Sequence, residues 1–144
     1  MKVILMRTKE ASVSVKSEVI ASIDKGIVLF VGFSNSDDEN TISNMAQKVV
    51  NLRVFEDENN KLMYSVKDKN YKILCIPNFT LYANIKKGRR PSFEDVLGKE
   101  KASILFDNFI LLLKASGVVV ESGKFGEHME ILLNLDGPVN IILE

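Results

Sequence analysis

Cysteine, histidine, tryptophan and proline are scarce in this chain: one Cys, one His, no Trp and three Pro among 144 residues. A lone cysteine closes no internal disulfide, and no Cys/His cluster supplies a zinc site. The fold must therefore rest on its core, and a reducing cytoplasm is the expected compartment. Net charge is lacking too, with 19 Lys+Arg against 19 Asp+Glu. A neutral chain does not coat nucleic acid by bulk charge, so no DNA partner is expected and any RNA contact must be local. No apolar run approaches the ~20 residues of a membrane span. The opening run, residues 3–6, is far shorter than a signal-peptide core, so no membrane partner is expected. The eight glycines nowhere form GxGxxG or GxxxxGKS/T, which removes the phosphate loops of nucleotide-driven enzymes. What is present, 46% hydrophobic and 26% charged residues, suffices for one domain over 1–144 that buries roughly 70% of its unfolded surface.

Patterning predicts short strands at 3–6 and 11–15, then a turn at Asp24-Lys25-Gly26. Residues 27–33 are too apolar for a one-sided strand and read as a central strand covered on both faces. Ser36-Asp37-Asp38-Glu39 has the form of a capping box. The helix after it carries Ile42, Met45, Ala46, Val49 and Leu52 at helical spacing. Short extended pieces at 53–56 and 62–66 precede a strongly apolar strand at 71–76, which ends at Pro77. Ser92 to Asp95 can cap a second helix over 99–116, with Ala102, Leu105, Phe106, Phe109, Leu112 and Leu113 inward and Gly117 as C-cap. Strands at 118–121, 129–135 and 139–143 close the chain. This order of elements lacks strict βαβ alternation, so the class is α+β, with mixed α/β layers.

Few residues offer chemistry. His128 has no nucleophile motif beside it and reads as structural or solvated, and Cys75 reads as an inert core thiol. Pro77-Asn78-Phe79-Thr80-Leu81-Tyr82 is plainly a strand end; alternatively its backbone N–H groups and the Thr80 hydroxyl hold a developing oxyanion. Asp136-Gly137-Pro138 is either a hairpin turn or a junction where Gly and an X–Pro bond permit unusual geometry. Lys86, Lys87, Arg89 and Arg90 crowd into five positions. They either solvate a loop or meet RNA phosphates.

Read together, six blocks resemble the D-aminoacyl-tRNA deacylases, historically called D-tyrosyl-tRNA deacylases. They are Ala11-Ser12-Val13, Asn51-Leu52-Arg53-Val54-Phe55-Glu56-Asp57, Phe79-Thr80-Leu81-Tyr82-Ala83, Lys87-Gly88-Arg89-Arg90-Pro91-Ser92-Phe93, Lys124-Phe125-Gly126 and Asp136-Gly137-Pro138-Val139. The resemblance implies a β/β/α fold with two sheets and two main helices. It implies a homodimer whose active sites form at the interface, from the Pro77, Asn78, Phe79 and Thr80 segment of one chain and Gly137-Pro138 of the other. The implied reaction is hydrolysis of the ester of D-aminoacyl-tRNA, and of glycine mischarged on tRNA, as translation proofreading. It needs no metal and no organic cofactor. Gly137-Pro138 would turn backbone carbonyls, through a cis bond, toward the substrate α-carbon so that an L side chain clashes. Arg7 would hold that element, Phe125, Gly126 and Met129 would wall the substrate, and Lys86, Lys87, Arg89 and Arg90 would meet tRNA phosphates.

Two signature motifs depart from the family pattern. Ser-Gln-x-Thr is Pro77-Asn78-Phe79-Thr80 here, and Asn-x-Gly-Pro-x-Thr is Leu135-Asp136-Gly137-Pro138-Val139-Asn140. The departures leave two alternatives beside the ordinary proofreader: a relaxed-chirality deacylase of mischarged L-alanyl-tRNA, and a homologue that binds tRNA without hydrolysis. They turn on whether Pro77 redirects its strand.

Overall fold

Two opening strands are expected, and one long strand is found. In the computed structural model, which describes residues 1–86 and 88–144, β1 runs unbroken from Lys2 to Val15. A tight hairpin through Lys16 and Ser17, at φ 50° and 65°, leads into β2 (Glu18–Ile23). The sequence pattern misses β2 because the hairpin lacks the Asn-Gly or Asp-Gly signal of such turns. Moreover, only Ala21 and Ile23 of the strand are buried, so its alternation is faint. β3 (Gly26–Gly32) then continues along the same edge of β1, with Lys2 opposite Gly32 and Thr8 opposite Gly26.

The remaining elements are α1 (Glu39–Asn51), β4 (Phe55–Glu56), β5 (Leu62–Tyr64), β6 (Lys72–Pro77), a 3-10 helix (Phe79–Tyr82), α2 (Lys99–Ala115), β7 (Val120–Ser122) and β8 (Glu130–Leu143). β3, β6 and β7 are parallel neighbours. β1 pairs antiparallel with β2, β3 and β8. A six-stranded mixed sheet results, and β4 and β5 form a separate two-stranded one.

Period-2 alternation on β3 and β6 splits the apolar residues between two cores. Ile27, Leu29, Val31, Ile73 and Cys75 meet both helices through Ile42, Val49, Phe106, Phe109 and Leu113. Val28, Leu74 and Ile76 face the other way, against Ala11, Val13, Ala21 and Ile23. β1 belongs to both: Val3 and Leu5 lie in the helical core, Ala11 and Val13 in the other. Its ladder with β8 shifts register around Thr8, where a bulged strand bends. The layers are therefore helix, sheet, sheet, and β3 is covered on both faces.

Three expected boundaries move. Asp38, not Ser36, caps α1: its carboxylate accepts from the Thr41 N–H at 2.8 Å, and the Thr41 hydroxyl returns to the Asp38 N–H. Ser36 is occupied with the Ser34 hydroxyl at 3.0 Å. α2 starts at Gly98 without a side-chain cap, since Ser92 exchanges two backbone hydrogen bonds with Asn84 instead. The closing strands at 129–135 and 139–143 are one strand, so Asp136-Gly137-Pro138 is no hairpin turn. Both halves pair with β1, Leu135 opposite Thr8 and Asn140 opposite Met6, which leaves residues 136–139 as a bulge facing Arg7 alone. The Gly137-Pro138 peptide is cis.

Candidate active site

β6 carries its chain to the candidate site, and its proline costs the sheet nothing. The Ile73 N–H points to Val119 beside β7, whereas the Asn78 N–H reaches Val31 of β3 at 2.7 Å. By strict alternation the missing N–H of Pro77 would face the β7 side, where the ladder has already ended at Cys75 and Ser122. Pro77 stays in register opposite Val31. The strand is not redirected.

Immediately beyond, Asn78 caps the 3-10 helix. Its Oδ1 accepts from the Thr80 N–H at 3.1 Å and from the Thr80 hydroxyl at 2.6 Å. Sequence reasoning expects the N–H groups of Phe79 and Thr80 to be available together. The structure commits that of Thr80 to Asn78, while that of Phe79 has no partner among the described residues. Gly32 makes this geometry possible: a Cβ there would lie 2.8 Å from the Asn78 carbonyl oxygen and 3.2 Å from the Leu81 Cβ. Phe79 itself is exposed and stands edge-on to Phe93, ring centroids 5.1 Å apart.

A cleft of about 500 Å³ opens here, in the size range of small-molecule sites. Pro77, Asn78, Phe79, Phe125 and Gly126 line it, together with Phe93, Leu97 and Gly98 from the segment before α2 and Lys99 and Ala102 from its first turn. Met129 reaches the same corner from behind Gly123, where an added Cβ would sit 2.7 Å from the Met129 sulfur and 3.5 Å from the Pro77 Cδ. Only Phe93 of the added wall has any sequence signal, as an aromatic beside a basic run. Leu97, Gly98 and Ala102 are apolar or small and Lys99 is a single lysine, residues that pattern alone assigns to a helix start.

Arg7, Gly137 and Pro138 lie elsewhere. Arg7 is buried, and its Nε donates to the Asp136 carbonyl at 2.9 Å and sits 3.3 Å from the Asp136 carboxylate. Its Nη1 donates to the Val54 carbonyl at 2.9 Å, with Glu56 at 3.4 Å. Glu56 and Asp136 are charge partners that the sequence alone does not single out. Three strand spacings separate β8 from β6, and Pro77 stands four residues beyond the level of Arg7. At about 4.8 Å per strand and 3.3 Å per residue, the two groups are on the order of 20 Å apart within one chain.

Lys86, Arg89 and Arg90 are exposed on the loop closed by the Asn84–Ser92 bridge; Lys87 lies outside the described residues. His128 is exposed and Cys75 fully buried, and burial pushes the thiol well above its ordinary value. Among the described residues no cluster of His, Cys, Asp or Glu has the make-up of a metal site. No described helix is long and apolar enough to cross a membrane.

Comparison with known proteins agrees with this layout over the whole chain. The family described as D-Tyr-tRNA(Tyr) deacylase matches residues 4–144. A D-aminoacyl-tRNA deacylase of Brevibacillus brevis is 44% identical over 144 residues, covering 100% of this chain and 99% of the relative. One of Listeria monocytogenes is 46% identical, covering 100% and 95%. Among solved structures, the c-Myc DNA Unwinding Element Binding Protein superposes with a TM-score of 0.93 at 38% identity, over 100% of this chain and 98% of that one. A probable eukaryotic D-amino acid tRNA deacylase shares the fold, with a TM-score of 0.87 at 17% identity over 99% and 97%. With 44% identity across its full length and a family match to nearly every residue, this chain belongs to the D-Tyr-tRNA(Tyr) deacylase family.

Proposed function

We propose that this protein hydrolyses the ester that joins a D-amino acid, or mischarged glycine, to the terminal ribose of tRNA. The full-length kinship with relatives of that name is the observation that carries the reading. Local geometry supports it. An ester is already activated, so a donor aimed at its carbonyl oxygen lowers the barrier to attack by water, and the unpartnered Phe79 N–H at the cleft is such a donor. Thr80 acts as a binder and not as the nucleophile, because its hydroxyl faces an amide oxygen, which is no base.

The site is proposed to be completed by a second copy of the chain. Gly137-Pro138 cannot reach the cleft of its own chain across three strand spacings, yet β8 offers a route to a partner. Among the described residues it pairs with β1 alone, and Leu132 and Ile142 are 73% and 70% exposed. A long apolar edge strand of this kind calls for cover. Chirality then follows by exclusion: carbonyls of the partner's bulge, held by Arg7, crowd the α-carbon, and a side chain of L configuration meets them. Lys86, Lys87, Arg89 and Arg90 would contact tRNA phosphates through the loop that Phe93 ties to Phe79. The working compartment is the cytoplasm, where charged tRNA resides.

Deacylation of D-tyrosyl-tRNA, glycyl-tRNA and L-alanyl-tRNA mischarged on a threonine tRNA, beside L-tyrosyl-tRNA, tests the proposal. Release from the first two with the L-tyrosyl ester spared is expected. Release of the mischarged alanine would replace strict chirality with a relaxed filter. No release from any, with tRNA still bound, would make the protein a binder.

A further inference from the structure

We propose that Asn78 is a positioning residue that fixes the polarity of the Thr80 hydroxyl, turning it into a hydrogen-bond acceptor for an N–H or O–H of the bound aminoacyl ester; this rests on the deacylase reading above. The chemistry of the cap decides the polarity. A backbone N–H only donates, so the Asn78 atom facing Thr80 N must be the amide oxygen. That same oxygen lies 2.6 Å from the Thr80 Oγ1. It carries no hydrogen, so the single hydroxyl proton goes to it, and only the lone pairs of Oγ1 remain to face a ligand. An amide oxygen does not remove that proton, and the hydroxyl stays neutral.

The arrangement follows from the short side chain. Asn bonds its own backbone two residues on, the Asx turn, with an ease that the longer Gln lacks. The short Asn78 side chain is thus what ties Thr80 down on both of its donors. It leaves the neighbouring Phe79 N–H as the donor at this turn for the ester carbonyl. Thr80 accepts, Phe79 donates, and Asn78 sets which does which.

Single-turnover and steady-state hydrolysis of D-tyrosyl-tRNA by wild type, Asn78→Ala, Thr80→Val and the double variant test this. Asn78→Ala should lower kcat by about tenfold, the worth of one such hydrogen bond, with KM changed less than about threefold. In the Thr80→Val background the same change should do nothing further, because its effect runs through the hydroxyl. Full additivity of the two losses, or an unchanged kcat in Asn78→Ala, overturns the proposal. Asn78→Asp keeps both contacts and guards against misfolding. Its carboxylate can take the proton, so kcat should gain a pH dependence around the ordinary Asp value of about 4 that wild type lacks; identical pH profiles overturn it. A wild type without turnover refutes the deacylase reading instead. In that event amide exchange still decides: Thr80 N–H protected in wild type and unprotected in Asn78→Ala supports the cap, and equal exchange overturns it.

Discussion

Gly32 and Arg7 act on opposite ends of the β1–β3 pair, Gly32 in the wall of the cleft and Arg7 away from it. Gly32 lets the Asn78 carbonyl and Leu81 close over the end of β3. Gly32→Ala must push the 3-10 helix outward, at a cost of about 1–3 kcal/mol for such overpacking. The expected outcome is a lowered Tm together with a fall in kcat. A variant with wild-type kcat would show that the turn need not sit where it does. Arg7 is the more telling residue for reading a sequence. Its burial inside a strand of apolar neighbours makes sense only once Val54, Glu56 and Asp136 are brought around it, from positions about 50 and 130 residues away.

The helices were legible because each pattern has a local cause. In α1 the apolar stripe at helical spacing became the buried face, Ile42, Met45, Ala46 and Val49, with Val50 added, whereas Leu52 falls just outside the helix as its C-cap. In α2, Ile110 is buried alongside Leu113, whereas Leu112 lies partly out. Gly117 follows at φ 86°, the left-handed conformation expected after a helix end. The capping carboxylate of Asp38 is held below its ordinary value of 3.8, chiefly by the Thr41 N–H. Backbone N–H groups do the same for Asp57, through Lys61, and Asp68, through Ser65. Carboxylates depressed in the folded state stabilise it above the ordinary value, and that stability is lost as pH falls through the lower folded one. Tm should therefore drop on acidification from about pH 4 downward. Asp38→Asn should show a shallower drop over that window, and a slope equal to wild type would remove Asp38 from the account.

Two cores and the long outer edge of β8 define the molecule as a whole. β3 and β6 are buried on both faces by helices on one side and by β1, β2 and β8 on the other. Among the described residues β8 is left with its outer edge unpaired and with Leu132, Leu135 and Ile142 exposed. If that edge is where a second copy docks, wild type should sediment as a dimer. Leu132→Lys with Ile142→Lys should then sediment at monomer mass and lose turnover while keeping a folded circular-dichroism spectrum. A monomeric wild type that still hydrolyses D-tyrosyl-tRNA would end the composite-site reading.

Local signals carried the helices, the two-faced strand β3, the basic loop and the signature blocks, since periodicity, capping residues and motif order are properties of neighbouring positions. Long-range pairing set the rest. Nothing near residue 137 says that both flanks of Gly137-Pro138 lie along β1, so from the sequence the bulge facing Arg7 reads first as a hairpin turn. Nothing near Pro77 says that β7 has already stopped, so a proline that breaks no ladder bond looked like one that could divert the strand. Each outcome depends on which strand lies alongside and where it ends, and such contacts join residues more than a hundred positions apart in the case of Arg7 and Asp136. Their positions follow from burying two apolar faces at once, a condition that the whole chain satisfies and that no short segment records.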